Sequence, residues 1–171
     1  MTHPKPKTLF LIGGPMGVGK STVGKQLKHL LPDCVHLEGD VLLDADPFHV
    51  TEETKAMVLR NITFVLNEFL HCSAYAHILF TWVMHEQTII DTITAGLHLH
   101  GATVIPVSLL ASPNTLRQRL GEDIRKGHRS EDVIARSLQR LTGFDTVNTT
   151  KIHTDNRTPE AIAAEIADLR I

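Results

Sequence analysis

The sequence of 171 residues is poor in cysteine and in aromatic side chains, and it has no long apolar run. Only two cysteines occur, Cys34 and Cys72, and their spacing fits neither a metal cage nor a redox pair. They read as free thiols buried among apolar neighbours, as in a reducing cytoplasm. Eleven histidines are many, yet none falls at a zinc-site spacing. A formal net charge of −2 gives no bulk attraction to nucleic acid or to a membrane, so neither is expected as a partner. Residues 1–7 are polar and lead into no apolar region long enough for a leader or a bilayer span, so a loose tail is expected there. Repeats, linkers and low-complexity stretches are absent too. One globular domain over residues 1–171 remains, long enough to bury a sizeable core.

Against that background one stretch stands out: Gly14-Pro15-Met16-Gly17-Val18-Gly19-Lys20-Ser21. It meets the P-loop pattern G-x-x-x-x-G-K-[ST] at every fixed position. Before it, Thr8 to Ile12 is an apolar run of the kind that forms a buried parallel strand. After it, Val23, Leu27, Leu30 and Leu31 recur at helical spacing, and Pro32 closes the segment. Glycines let successive N–H groups turn inward around phosphates, and a helix starting near Lys20 adds its positive dipole end. Lys20 is expected on the β- and γ-phosphates. The Ser21 hydroxyl is expected on Mg²⁺, a hard cation that prefers oxygen. ATP with Mg²⁺ is therefore the expected cofactor, held by this stretch and Thr22.

A short strand, Cys34 to Leu37, leads into Glu38-Gly39-Asp40. Two carboxylates two residues apart at a strand's carboxyl end share a face, and that end holds the ligand crevice of an open α/β sheet. Asp40 is the candidate to orient or deprotonate a substrate hydroxyl, and Glu38 to help hold the metal through water. Val41 to Phe48 reads as a loop. Thr51 then caps a helix whose apolar stripe runs from Met57 to Phe69. Arg60 lies off the centre of that stripe and reads first as solvated, second as reaching into the acceptor site. His77 to Met84 reads as a central strand. Trp82 divides evenly between core filling and, with His85, lining the acceptor pocket.

Ile89 to Leu99 is helical in pattern and ends at Gly101. Ala102 to Leu110 is the fourth strand, with a bulge expected at Pro106. Ser112-Pro113 starts a helix that points Leu116 and Leu120 inward. The stretch from about residue 119 to 130 is dense in cations and has Gly121 and Gly127 as hinges. It reads as an Arg-rich lid in which Arg125 and Arg129 neutralise charge developing in phosphoryl transfer. Ser130 caps a further helix, where Arg136 and Arg140 face either the phosphates or solvent. A fifth strand at Lys151 to Thr154 and a last helix from Thr158-Pro159 complete the chain. Strands alternate with helices throughout. The expected class is therefore α/β: a three-layer P-loop NTPase fold, with a five-stranded parallel sheet and helices on both faces.

These residues together resemble the small P-loop kinases that phosphorylate metabolites: shikimate kinase, gluconate kinase, the nucleoside monophosphate kinases and chloramphenicol phosphotransferase. The resemblance spans nearly the whole chain and is strongest at Gly14 to Ser21. Glu38-Gly39-Asp40 is similar to the Asp-Gly-Asp of gluconate kinases, whose acidic residues serve the metal and the acceptor hydroxyl. The resemblance implies that Arg119 stacks on adenine and that the turn holding Asn156 and Arg157 borders it. There are departures. Arg129-Ser130 follows Gly127-His128 where gluconate kinases have Phe-Met, and His85-Glu86-Gln87 stands where shikimate kinase has a glycine-rich segment. The expected activity is transfer of the γ-phosphate of Mg·ATP to a hydroxyl of a small acceptor: a sugar acid, a shikimate-like acid, a nucleoside or an antibiotic. A hydrolase or switch is the alternative, weakened because strand three ends without a Walker B acid and no Asn-Lys-x-Asp is present. A non-catalytic nucleotide-binding module is the third reading. Monomer and homodimer both stay open.

Overall fold

Leu9, Phe10, Leu11 and Ile12 are at most 1% exposed, and this unbroken apolar run makes the first strand, β1 (Thr8–Gly13). A strand covered on both faces requires such a run. The chain continues through α1 (Lys20–Leu30), β2 (Cys34–Glu38), a 3-10 turn (Gly39–Leu43), α2 (Glu52–His71) and β3 (His77–Thr81). Then follow α3 (Gln87–Ala95), β4 (Thr103–Leu110), α4 (Pro113–Arg125), α5 (Val133–Arg140), α6 (Gly143–Thr146), β5 (Thr150–His153) and α7 (Pro159–Asp168). All strands run parallel in the order β2-β3-β1-β4-β5. One core lies between the sheet and α1, α4 and α7, and a second lies between the sheet and α2 and α3. The result is the expected three-layer α/β arrangement.

The computed structural model describes residues 6–170. The expected loose tail therefore lies outside the described residues over positions 1–5. Lys7, at its end, is fastened: its ammonium donates to the Phe69 carbonyl at 3.3 Å and the Cys72 carbonyl at 2.5 Å. These carbonyls close the carboxyl end of α2, where a cation is favoured. Cys34 and Cys72 are free and only half-buried. Among the described residues no helix is long and apolar enough to cross a membrane.

Three local expectations are corrected. β4 passes Pro106 without a bulge, in unbroken register with β1 from Thr8↔Thr103 to Gly13↔Ser108. The Leu110 carbonyl accepts from Thr154 on the β5 side, so the even-numbered residues of β4 direct their backbone polar groups that way. β5 pairs only from Val107 onward, so no strand asks Pro106 for the hydrogen it lacks. α3 stops at Ala95, short of Leu99. There the Asn67 side chain captures the backbone from α2, donating to the Gly96 carbonyl at 3.0 Å and accepting from the His98 N–H at 2.7 Å. The segment after β2 is not a plain loop, because its first turn is the 3-10 turn that carries Asp40.

Candidate active site

The loop between β1 and α1 turns through backbone angles that glycine adopts freely. Gly14, Gly17 and Gly19 have φ of 153°, 83° and 103°. Lys20, the first residue of α1, folds its ammonium back onto the loop and donates to the carbonyls of Gly14 at 2.8 Å and Pro15 at 2.9 Å. Burial pulls its pKa down to about 8, Asp40 opposes that shift, and Arg129 and Arg140 add to it. Those four charged groups are therefore within electrostatic reach of one point.

One residue on, the Ser21 hydroxyl donates to Glu38 Oε2 at 2.9 Å. The two residues proposed for the metal are thus neighbours, one from α1 and one from the end of β2. Hydroxyl and carboxylate oxygens suit Mg²⁺. Among the described residues no group of three or more His, Cys, Asp or Glu is placed to hold a metal on its own. A cation here would need oxygens from phosphate as well, as in a P-loop.

A cavity of about 430 Å³ lies over the loop. Arg119, Arg129 and Arg157 line it, as does Asp40. Arg119 is a strut: its guanidinium donates to the Val18 carbonyl at 3.1 Å and to the Thr154 hydroxyl at 3.2 Å, tying the loop to the end of β5. Arg157 is paired with Glu165 and donates to the His153 carbonyl at 3.2 Å. Asn156 forms a left-handed turn at φ 54° and does not line the cavity. The predicted lid narrows, because residues 119–125 belong to α4 and the irregular stretch runs over 126–132. Arg129, from that stretch, lines the cavity and pairs with Asp123 at 3.2 Å. Arg125 is exposed and does not line it.

A second cavity, of about 380 Å³, lies on the other side of Met16 and Asp40, which line both. Trp82 and His85 line it from the segment after β3, and Arg136 and Arg140 from α5. Trp82 also packs against Phe80, so its core and pocket roles coincide. Gly39 explains how the indole fits: a Cβ there would come within 2.7 Å of Trp82 Cγ and Cδ1. His85 holds Glu86 Oε1 at 3.2 Å through Nε2, while Nδ1 is buried with no partner among the described residues. Burial lowers its pKa, Arg140 lowers it further and Glu86 opposes, so the site favours the neutral ring. Arg60 is not brought here. It is exposed and lines a separate groove with Phe64 and Asn67.

Two residues of the site were not singled out by sequence reasoning. Ser137 is fully buried and donates to the Met16 carbonyl at 2.8 Å, fixing α5 to the P-loop. Its only signal was its place, with Val133 and Arg140, on one face at i, i+4 and i+7. Asp155 accepts from the Ser112 N–H at 3.0 Å and the Thr115 hydroxyl at 2.6 Å, which joins the turn after β5 to the start of α4. The Thr115 bond leads the causes that hold its pKa down at about 2.

Sheet order, glycine-rich loop and the Lys20-Ser21 start of α1 define a P-loop NTPase fold of the α/β class. The chain belongs to the AAA domain family, whose profile matches residues 11–134. No curated protein sequence matches it. Among solved structures, a sugar kinase from Janibacter sp. HTCC2649 superposes with a TM-score of 0.74 at 17% identity, covering 95% of this chain and 94% of that one. A gluconokinase from Sinorhizobium meliloti 1021 gives 0.65 at 18% identity, covering 97% and 96%. A shikimate kinase from Acinetobacter baumannii, solved with shikimate, gives 0.63 at 23% identity, covering 97% and 93%. At these identities the likeness is one of fold, and that fold is the one small P-loop kinases use.

Proposed function

We propose that the protein is an ATP-dependent phosphotransferase acting on a hydroxyl of a small molecule. The observation that carries this reading is Asp40, which stands at the shared wall of the P-loop cavity and the second cavity. ATP occupies the first, from residues 14–22 to Arg119 and Arg157, and the acceptor occupies the second, beside Trp82 and His85. The acceptor oxygen attacks the γ-phosphorus as the bond from that phosphorus to the β–γ bridging oxygen breaks. ADP leaves, and the hydroxyl proton passes to the Asp40 carboxylate and on to water. Lys20 and Arg129 hold and neutralise the migrating phosphoryl group, and Arg140 adds its charge from the acceptor side. Ser21 and Glu38 would hold Mg²⁺, which would supply charge neutralisation to the phosphates. The fold neighbours named as sugar, gluconate and shikimate kinases support this reaction class.

The test is ADP release from Mg·ATP across a panel of sugar acids, shikimate, nucleosides and antibiotic alcohols, with Lys20→Ala and Asp40→Asn beside the parent. Acceptor-stimulated release lost in both variants supports the reading. Acceptor-independent hydrolysis that survives Asp40→Asn replaces it with a hydrolase.

A further inference from the structure

The second cavity has a largely apolar body, with polar side chains at the P-loop end and at its edges. Leu43, Val58, Leu59, Trp82, Met84 and Ile89 make its body. Phe48 and Val50 line its rim from the segment before α2, and they remain 59% and 62% exposed. Large apolar side chains left in water at a cavity mouth are a feature of binding surfaces.

The polar groups in the walls are mostly engaged. Lys55 pairs with Glu52 at 2.8 Å, Arg136 with Asp132 at 2.7 Å, and Glu86 with His85 at 3.2 Å. The Thr54 hydroxyl donates to the carbonyls of His49 at 3.0 Å and Thr51 at 3.1 Å. Two groups of the lining have no side-chain hydrogen-bond partner among the described residues: the Asp40 carboxylate and the Arg140 guanidinium. Both belong to the end nearest the P-loop, since Asp40 also lines the P-loop cavity and Arg140 acts on Lys20.

Such a cavity satisfies one polar substituent well and several poorly. A polyhydroxylated acid would bury hydroxyls against the side chains of Val58, Leu59, Met84 and Ile89, which offer them no hydrogen bond. Each would lose its water without replacement. A molecule with one alcohol group on a ring or alkyl body loses nothing there and gains from every apolar wall.

Resting on the phosphotransferase reading, we propose that the acceptor is an amphipathic alcohol. Its hydroxyl lies at Asp40 and its aromatic or alicyclic body lies between Trp82 and α2, with Phe48 and Val50 over the mouth. Sugar acids and other polyols are excluded as efficient acceptors.

Trp82 is the only tryptophan of the chain and lines this cavity, so its fluorescence reads occupancy directly. The full chain is titrated with 3-phenyl-1-propanol and cyclohexylmethanol, and in parallel with gluconate and shikimate. A saturable change with both alcohols, at a Kd at least about tenfold below that of either polar acid, is expected; tenfold discrimination is what one or two buried apolar groups supply. Phe48→Ser, at an exposed position that folding does not need, should raise the Kd for 3-phenyl-1-propanol about threefold or more while leaving ATP binding unchanged. Tighter binding of gluconate or shikimate overturns the proposal, and so does the absence of a saturable response to either alcohol. ADP release is measured on the same mixtures. Saturable alcohol binding without alcohol-stimulated ADP release supports the assigned pocket chemistry and counts against phosphoryl transfer to these alcohols.

Discussion

The Ser137 hydroxyl on α5 donates to the Met16 carbonyl of the P-loop at 2.8 Å, and the serine is fully buried. Met16 lines both cavities, so this bond sets where α5 and its Arg140 stand relative to the nucleotide loop. Ser137→Ala leaves the carbonyl without that partner and should cost about 1–2 kcal/mol. For a domain of this size that is a Tm lowered by about 2–8 °C. Affinity for a non-hydrolysable ATP analogue should weaken a few-fold as well. Calorimetry and a binding titration check both, and unchanged values in both would show that the bond positions nothing.

Lys20 links pH to two opposite effects. Burial holds its pKa near 8, below the 10.5 of an exposed lysine, so the native state disfavours the cation. The unfolded chain therefore binds more protons between those values, and stability of the ligand-free protein should rise with pH across that window relative to Lys20→Met. Phosphate binding has the reverse sign, because the triphosphate needs the charged ammonium. Affinity for the ATP analogue should hold below about pH 8 and fall by up to about tenfold per pH unit above it. In Lys20→Met both profiles should be flat over the same range. Denaturation and binding measured from pH 7 to 10 test the pair, and a pH-independent affinity in the parent would remove Lys20 from the phosphates.

What was legible in the sequence was local. The P-loop, its strand and its helix sit within a few residues of each other, and motif and period both report on that range. Glu38 and Asp40 were legible because a strand's carboxyl end borders the crevice, a rule of topology that needs no side-chain contact. The remainder depends on contacts between distant segments. Nothing near Gly96 announces that Asn67, on another helix, will end α3 there. Pro106 reads as a defect until β5 is seen to pair only beyond it. Arg119 and Arg125 look alike in sequence, yet one is drawn onto Val18 and Thr154 while the other stays in solvent. Ser137 looks like a neutral helix residue until the P-loop carbonyl is placed against it.

Gly39 and Trp82 form another such distant contact. A methyl group at Gly39 would sit 2.7 Å from the indole and 3.0 Å from the Trp82 Cβ, the rigid end of that side chain. The indole would have to shift, and it lines the second cavity. Gly39→Ala should cost about 1–3 kcal/mol through overpacking. It should also shift the tryptophan emission and lower acceptor turnover, with ATP affinity little changed. An unaltered emission spectrum together with normal turnover would mean that the glycine is not needed for the pocket.

The two arginines of the predicted lid should separate. Arg129 lines the nucleotide cavity and lowers the Lys20 pKa, whereas Arg125 is exposed and lines nothing there. Arg129→Ala should lower kcat by about 10²-fold, the scale for removing one group that stabilises transition-state charge. Arg125→Ala should stay within about twofold, as for a solvated charge. Asp123 holds Arg129 at 3.2 Å, so Asp123→Asn should release it and tighten ATP-analogue binding. Equal loss of kcat in the two arginine variants would contradict this assignment.

Asp40 provides the sharpest test because it does two things through one carboxylate. As the acceptor's proton partner it should contribute about 10²–10⁴-fold to turnover, so Asp40→Asn should lose that much kcat. Its charge also opposes the desolvation of Lys20. Removing the charge should let the Lys20 pKa fall below about 8, so the alkaline loss of ATP-analogue affinity should begin at lower pH than in the parent. Near pH 6, where the lysine is charged in both proteins, analogue affinity should differ little. A residue that merely supports the fold would shift neither profile in this pattern. The combination of lost turnover, preserved binding at low pH and a displaced alkaline limb requires Asp40 to stand between the acceptor and Lys20, on the wall that the two cavities share.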